Sequence, residues 1–375
     1  MNLIYYYPMK EGAPSKVARN IFDVLYVKRN ELPFEEIAIC TDLKSKRILA
    51  EKFKDINILS IKEIFKIDKK DVIHIPVSPF VFPNIKFLLH FFAKLNKNKI
   101  ILNYHGDLRN EIKLKYKSEK KIDFTDLPTY LLIPSLLTNT SEVIVNSHLL
   151  KNIIVNNYGV KSTSVIPNAV EDYWFLEDEE YIIKYRNDCE IFYHGRLSPE
   201  KGVDMLIKGF HKFLHEKNYP DNVSLYIAGE GSQRKYLQCL VQELKITDKV
   251  FFLGNLDRKL IKSYLKRVDG AIYPSIWDGF SLSILEALAS ANCPVFFSRK
   301  AGVYDFVTEE NALNTFNPNI NTVANIFHYI FEKKTNKEVI ERQKKFAKKY
   351  TWDKIIDQYI QIYREVCNNR VNKYN

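Results

Sequence analysis

The sequence is poor in glycine, with 12 in 375 residues, less than half of the roughly 7% share of an average chain. Glycines so sparingly used are expected where the backbone needs positive φ or comes close to a ligand. No apolar run reaches the ~18 residues of a membrane-spanning helix. Five cysteines (Cys40, Cys189, Cys239, Cys293, Cys367) are odd in number, scattered and never in a C-x-x-C pair. This argues against a disulfide framework or a zinc ribbon and fits a reducing cytosol. The start, Met1-Asn2-Leu3-Ile4-Tyr5-Tyr6-Tyr7, has no basic n-region and no small-residue cleavage site. No signal peptide is therefore expected, and the location expected is cytoplasmic. Acidic residues are outnumbered, 45 against 56 Lys plus Arg, for a net charge of +11. The excess is uneven: residues 1–170 hold 26 basic and 17 acidic side chains (net +9), residues 171–375 hold 30 and 28 (net +2). An anionic partner is suggested for the first half. Nucleic acid fits poorly, because no recognition motif accompanies the charge.

What is present is strand–helix alternation, twice over. Residues 2–7, 36–40, 56–59, 71–77, 99–104, 142–146 and 161–167 read as strands, with helical patterns over 17–25, 43–53, 85–95 and 130–138. Residues 168–186, with the acidic run Glu177-Asp178-Glu179-Glu180, read as a linker. The alternation then restarts: strands over 190–193, 223–228, 250–253, 271–273 and 294–297, helices over 203–215, 232–244, 259–268 and 281–289, and a helical tail over 321–334, 337–348 and 352–368. The pattern predicts an α/β fold of two doubly wound, Rossmann-like domains facing each other across a cleft. The expected division is 1–170, 171–350 and a C-terminal helix over 351–375. Open sheets of this kind bind ligands just past the carboxyl ends of their strands.

Three strand-end segments of the second half carry chemistry. His194-Gly195-Arg196-Leu197-Ser198-Pro199-Glu200-Lys201-Gly202 places two cations five residues apart before a helix, a site suited to a di-anion such as a diphosphate. Ala228-Gly229-Glu230-Gly231-Ser232 is a strand–turn–helix junction that either admits a nucleotide to the backbone or is a plain turn. In Tyr273-Pro274-Ser275-Ile276-Trp277-Asp278-Gly279-Phe280-Ser281-Leu282-Ser283-Ile284-Leu285-Glu286-Ala287 the two carboxylates stand eight positions apart. Glu286 lies among Ile284, Leu285, Ala287 and Leu288, where a carboxylate requires a partner. A pair of ribose hydroxyls would satisfy it.

In this order and spacing these segments, with Phe252-Leu253-Gly254, Pro294-Val295 and Val165-Ile166-Pro167-Asn168-Ala169-Val170, resemble the retaining, GT-B-fold glycosyltransferases of family 4. The resemblance is clear over residues 165–307 and fainter over 1–165. It implies that Arg196 and Lys201 bind the diphosphate of a nucleotide-sugar donor, and that Glu286 holds its ribose. Asp278, where the family usually has Glu, would contact the donor sugar. Gly195, Gly231 and the backbone of Gly279, Phe280, Ser281 and Leu282 would line the donor site. In the first domain it points to His105, in His105-Gly106-Asp107, as a contact to the reacting sugar, and to Gly12 as the remnant of a glycine-rich loop near the phosphates. The C-terminal helix would cross back to the first domain.

Four departures, namely one glycine in the loop at Gly12, Asp278 for Glu, Ser281 for glycine and an extra residue near Asn292, keep open a non-catalytic nucleotide-sugar-binding partner subunit. No Asp-x-Asp follows a strand and no H-E-x-x-H surrounds His211 and His215, so no metal site and no divalent cofactor are expected. The expected acceptor is a glycan or a lipid-linked sugar. The aromatic stretch 79–94 with Lys94, Lys97 and Lys99 suits a peripheral membrane surface or, the commoner case for such a stretch, an ordinary sheet-covering helix; the cluster Lys113, Lys115, Lys117, Lys120 and Lys121 could add to that surface or be a solvated loop.

Overall fold

The computed structural model describes residues 1–10, 12–78, 85–119, 124, 126–177, 188–309, 312–332 and 337–368. Residues 79–84 of the aromatic stretch, Lys120, Lys121 and Asp178-Glu179-Glu180 of the acidic run lie outside them. The chain divides into two compact units, Met1–Ala169 with the C-terminal helix, and Val170–Thr351.

The first unit is built on a parallel sheet of β1 (Leu3–Tyr6), β2 (Ile37–Thr41), β3 (Asn57–Ser60), β4 (Val72–Ile75), β5 (Lys99–Tyr104), β6 (Glu142–Val145) and β7 (Thr163–Val165), in the order β3-β2-β1-β4-β5-β6-β7. These are short runs of β-branched and aromatic residues, almost all of them buried, as strands covered on both faces must be. The helices are α1 (Ala13–Val27), α2 (Lys46–Lys52), α3 (Ile85–Leu95), α4 (Leu108–Glu119), α5 (Asp126–Thr138) and α6 (His148–Tyr158). Lys113, Lys115 and Lys117 of the lysine cluster are thus helical, in α4. Helix α6 has no counterpart in the sequence reading. Its bounds come from local chemistry: Ser147 Oγ accepts from Leu150 N–H at 3.2 Å, and Gly159 closes the helix at φ +69°.

The second unit has β8 (Cys189–His194), β9 (Val223–Ala228), β10 (Val250–Gly254), β11 (Gly270–Tyr273), β12 (Val295–Ser298) and β13 (Thr315–Phe316), again all parallel, in the order β10-β9-β8-β11-β12-β13. Its helices are α7 (Val203–Glu216), α8 (Arg234–Glu243), α9 (Arg258–Arg267), α10 (Leu282–Ser290), α11 (Ile320–Glu332) and α12 (Lys337–Ala347). The strand order reverses between β8 and β11, so the crevice of the second sheet opens where those two strands end. The opening stretch of the expected linker is packed into this unit: Trp174 is buried, Lys262 Nζ donates to Tyr173 O at 2.9 Å, and Arg258 pairs with Glu171 at 2.6 Å. The chain enters and leaves the unit side by side, Val170 N–H donating to Tyr350 O at 2.8 Å.

After Thr351 the chain returns to the first unit as α13 (Trp352–Asn368), which packs on α1. A buried polar chain ties it to the sheet. Tyr363 Oη meets His74 Nδ1 at 2.7 Å, His74 Nε2 donates to Asn103 Oδ1 at 2.9 Å, and Asn103 Nδ2 donates to Tyr359 Oη at 2.9 Å. Burial holds the His74 pKa down at about 4, so the ring is neutral at pH 7. The unfolded chain takes up this proton near pH 6.5, and stability is therefore lost as the pH falls from 6.5 towards 4. Urea melts of the wild type should lose about 3 kcal/mol over that range relative to His74→Gln. Parallel losses in both proteins would remove His74 as the cause.

Candidate functional site

The turns that follow β8 and β9 are pressed together, backbone against backbone. Gly195 N–H donates to Ala228 O at 3.0 Å, Leu197 N–H to Glu230 O at 2.9 Å, and Gln233 N–H to Leu197 O at 3.0 Å. A Cβ at Gly229 would sit 1.9 Å from Gly195 O, and one at Gly231 would sit 2.2 Å from Leu197 O. The glycine pattern of Ala228–Ser232 is therefore required by close approach of two strand-end loops, whatever else it binds.

The loop after β8 is also fastened to the loop after β11. Glu200 O accepts from Ile276 N–H at 2.9 Å and from Trp277 N–H at 3.2 Å. Lys201 Nζ donates to the Asp278 carboxylate, and both side chains are largely buried. The Asp278 backbone is pinned on its far side, donating to Lys300 O at 3.2 Å and accepting from Gly302 N–H at 2.9 Å. Arg196 stands differently. Its Nη2 is 2.8 Å from the carboxylate of buried Glu200, which also accepts from Ser198 Oγ, yet the guanidinium side chain remains 59% exposed. Each of the two expected cations thus holds a carboxylate: Lys201 is locked, and Arg196 is tethered at one end.

Glu286 lies on α10, whose Ile284, Leu285, Ala287, Leu288, Ala289 and Ser290 are buried. Its side chain is 13% exposed and reaches His194 Nε2 at 3.4 Å, while His194 Nδ1 lies 2.7 Å from Tyr273 Oη. Burial raises the Tyr273 hydroxyl well above its ordinary pKa, so it stays protonated and shares a hydrogen bond with Nδ1. The Glu286 carboxylate can only accept, so it takes its contact from Nε2–H. His194 and Tyr273, the last residues of β8 and β11, orient Glu286; neither was given a role in the sequence reading. The available signal was a histidine ending a strand at the sheet's switch point. At the start of α10, Ser281 is the N-cap residue without a side-chain cap bond, so its hydroxyl does not satisfy the first-turn amides. Phe280 turns inward and meets Phe306 edge-on at 5.8 Å, which leaves only its backbone to line a ligand. Gly279 and Ser281 are buried, and Leu282 half-buried.

His105 and Gly12 belong to the first unit. His105 follows β5, and its Nε2 donates to Pro76 O at 2.7 Å. Burial, and then the Lys86 charge, lower its pKa. A neutral ring with its proton on Nε2 presents Nδ1 as an acceptor. Gly12 precedes α1 at φ +132°, with open space where a Cβ would stand. Among the described residues no group of three or more His, Cys, Asp or Glu is placed to hold a metal ion. None of the described helices is long and apolar enough to cross a membrane.

Residues 177–350 match the family model described as Glycosyl transferases group 1. The uncharacterised glycosyltransferase MJ1607 of Methanocaldococcus jannaschii is 30% identical over 177 residues, 46% of this chain and 44% of that protein. The uncharacterised glycosyltransferase MJ1059 of the same organism is 31% identical over 288 residues, 71% of this chain and 65% of that protein. The alignments thus span less than two thirds of these relatives' own length. Among solved structures, Anabaena Alr3699/HepE in complex with UDP-glucose superposes with a TM-score of 0.71 at 18% identity, covering 97% of this chain and 100% of that one. At this identity the likeness is one of fold, the GT-B arrangement of two parallel α/β sheets. Together with the strand-end motifs, these matches make the chain similar to the group 1 glycosyltransferases, family 4, over residues 177–350 above all.

Proposed function

We propose that the protein is a retaining glycosyltransferase that moves a hexose from a UDP- or GDP-linked donor to a hydroxyl of a glycan or lipid-linked acceptor. The observation that carries the reading is the convergence, at the carboxyl ends of β8 and β11, of Lys201 fixed on Asp278, exposed Arg196, and Glu286 oriented by His194. Cations and helix amides suit a diphosphate, and an oriented carboxylate suits a vicinal diol. The solved relative crystallised with UDP-glucose supports a nucleotide-sugar donor of this class.

In this reading the ribose hydroxyls donate to Glu286, and the diphosphate lies against Arg196, Lys201 and the first-turn amides of α10. As the bond from the anomeric carbon to the diphosphate oxygen lengthens, positive charge develops on the sugar and negative charge on the leaving group. Donors already in place meet that charge without reorganisation. The departing diphosphate takes the proton of the acceptor hydroxyl, whose oxygen forms the new bond on the face the leaving group vacates, so configuration is kept. Asp278 keeps Lys201 on one carboxylate oxygen and offers the other to a donor-sugar hydroxyl. For His105 we propose a hydroxyl-binding role through Nδ1.

Lys201→Ala and Arg196→Ala should each lower kcat by 10²–10³, the effect of about 2.7–4 kcal/mol lost from transition-state stabilisation. Release of UDP or GDP under saturating donor measures this. Unchanged turnover in both variants would reject the diphosphate assignment. Glu286→Ala should raise the donor KM more than it lowers kcat, and His194→Ala should reproduce part of that rise. A His194 variant with wild-type KM would show that Glu286 needs no orienting partner. Turnover should persist in EDTA; chelator-abolished turnover in a protein that stays folded counts against the two-cation mechanism. Donor-induced thermal stabilisation with no product from any acceptor would favour a nucleotide-sugar-binding partner subunit instead.

A further inference from the structure

Helix α3 is apolar on two faces, and the described residues cover one of them. Leu89 and Ala93 are buried against the first sheet, together with His90. Leu88, Phe91 and Leu95, spaced i, i+3 and i+7, face outward, Leu95 with 67% of its surface in solvent. Phe65, from the turn Ile61–Lys66 that precedes β4, is 76% exposed and stands edge-on to Phe92 of α3 at 5.2 Å. Helix α5 carries a second outward apolar face. His90 Nε2 lies 3.2 Å from Thr140 Oγ1, two residues past the end of α5, so the two helices are neighbours. Along α5, Ile133, Leu136 and Leu137 are buried, whereas Leu127, Leu131 and Leu132 are exposed, Leu131 at 62%. Exposed apolar side chains grouped on the faces of neighbouring segments suit an interaction surface.

The charged groups around this surface are mostly basic. Lys62, Lys66, Lys94 and Lys97 are exposed beside α3, and Lys113 and Lys117 on α4. The ion pair Lys115–Asp126 at 2.9 Å ties α4 to α5. Of the acidic groups among them, Asp126 pairs with Lys115, and Glu63 with Lys46 at 2.6 Å and Lys66 at 3.6 Å, while Asp68 stands exposed beside the end of α3 and Glu111 lies on α4. The surface therefore combines an apolar stripe with a cationic border, in the half of the sequence that carries net +9.

We propose that the outer faces of α3 and α5, with Phe65, dock on an anionic lipid bilayer, the aromatic and leucine side chains entering the headgroup–acyl boundary and the lysines meeting lipid phosphates. A lipid surface accounts for both halves of the pattern: apolar insertion gives affinity without specific pockets, and each lysine near an anionic leaflet adds electrostatic attraction. The inference does not rest on the transferase reading, since none of these side chains belongs to the donor site.

The test is co-sedimentation of the full chain with phosphatidylcholine vesicles and with vesicles that also contain phosphatidylglycerol, at low and high salt. Binding is expected to the anionic vesicles at low salt, weakened at least about tenfold by high salt or by removal of the anionic lipid. Phe91→Ser with Leu95→Ser, and separately Lys94→Glu with Lys97→Glu, should each weaken it about tenfold or more. Unchanged circular dichroism melts exclude a folding defect, and Leu127→Ser with Leu131→Ser is an independent check on α5. Absence of sedimentation with anionic vesicles at low salt overturns the proposal, as does undiminished binding by the apolar variants. A dimer in light scattering that Phe91→Ser with Leu95→Ser dissociates, without vesicle binding, would assign the face to a second copy of the chain.

Discussion

The candidate site depends on one buried ion pair. Lys201 and Asp278 lie 77 residues apart in sequence, on the loops that follow the two strands at the switch point of the second sheet. Taking both charges out of water costs on the order of several kcal/mol per ion, so the pair is a poor way to add stability. It is a good way to specify geometry, because removing either partner leaves the other charge buried. Around it the backbone is over-determined: Glu200 O takes two amides from the β11 loop, and Asp278 is bonded front and back to the segment after β12. The start of α10, and with it the approach to Glu286, is held where these bonds put it.

The second unit uses its charges in pairs, and the first presents them as an excess. At the edge of the second sheet every candidate cation has a carboxylate, so the unit reaches near-neutrality while holding cations where a diphosphate would need them. A dianion bound there would find Lys201 already buried and Arg196 tethered by Glu200 but still largely in solvent, both oriented in advance as transition-state stabilisation favours. The first unit instead carries lysines in the border of an apolar face, a distribution suited to a broad surface rather than to one ligand.

Much of this was legible in the sequence, for identifiable reasons. Parallel strands buried on both faces read as short apolar runs, and the alternation with helices fixes a doubly wound sheet. Glu286 stood out because a carboxylate in an apolar helix requires a partner, and Asp278 because it follows a strand. The partner itself was not legible: His194 is 92 residues from Glu286, and only the β8–β11 topology brings them together. Helix α6 escaped because Asn152, Asn156 and Asn157 weaken its propensity, while its Ser147 cap and Gly159 stop define it. Strand β13 is two residues long and rests on its neighbour for its identity. The lysines of α4 could be read as a basic patch or as a loop, because charge dominates their local composition, and the packing of the segment on α5 shows it to be a helix.

The central claim is that the edge formed by β8, β9, β11 and α10 receives a nucleotide-diphosphate sugar. Hydrogen–deuterium exchange of the intact chain, with and without UDP- and GDP-hexoses, tests it most directly. Binding of the donor should slow exchange in residues 194–202, 229–231 and 278–286, with one of the two nucleotides doing so at lower concentration. Protection that falls elsewhere while these three segments are unchanged would contradict the account.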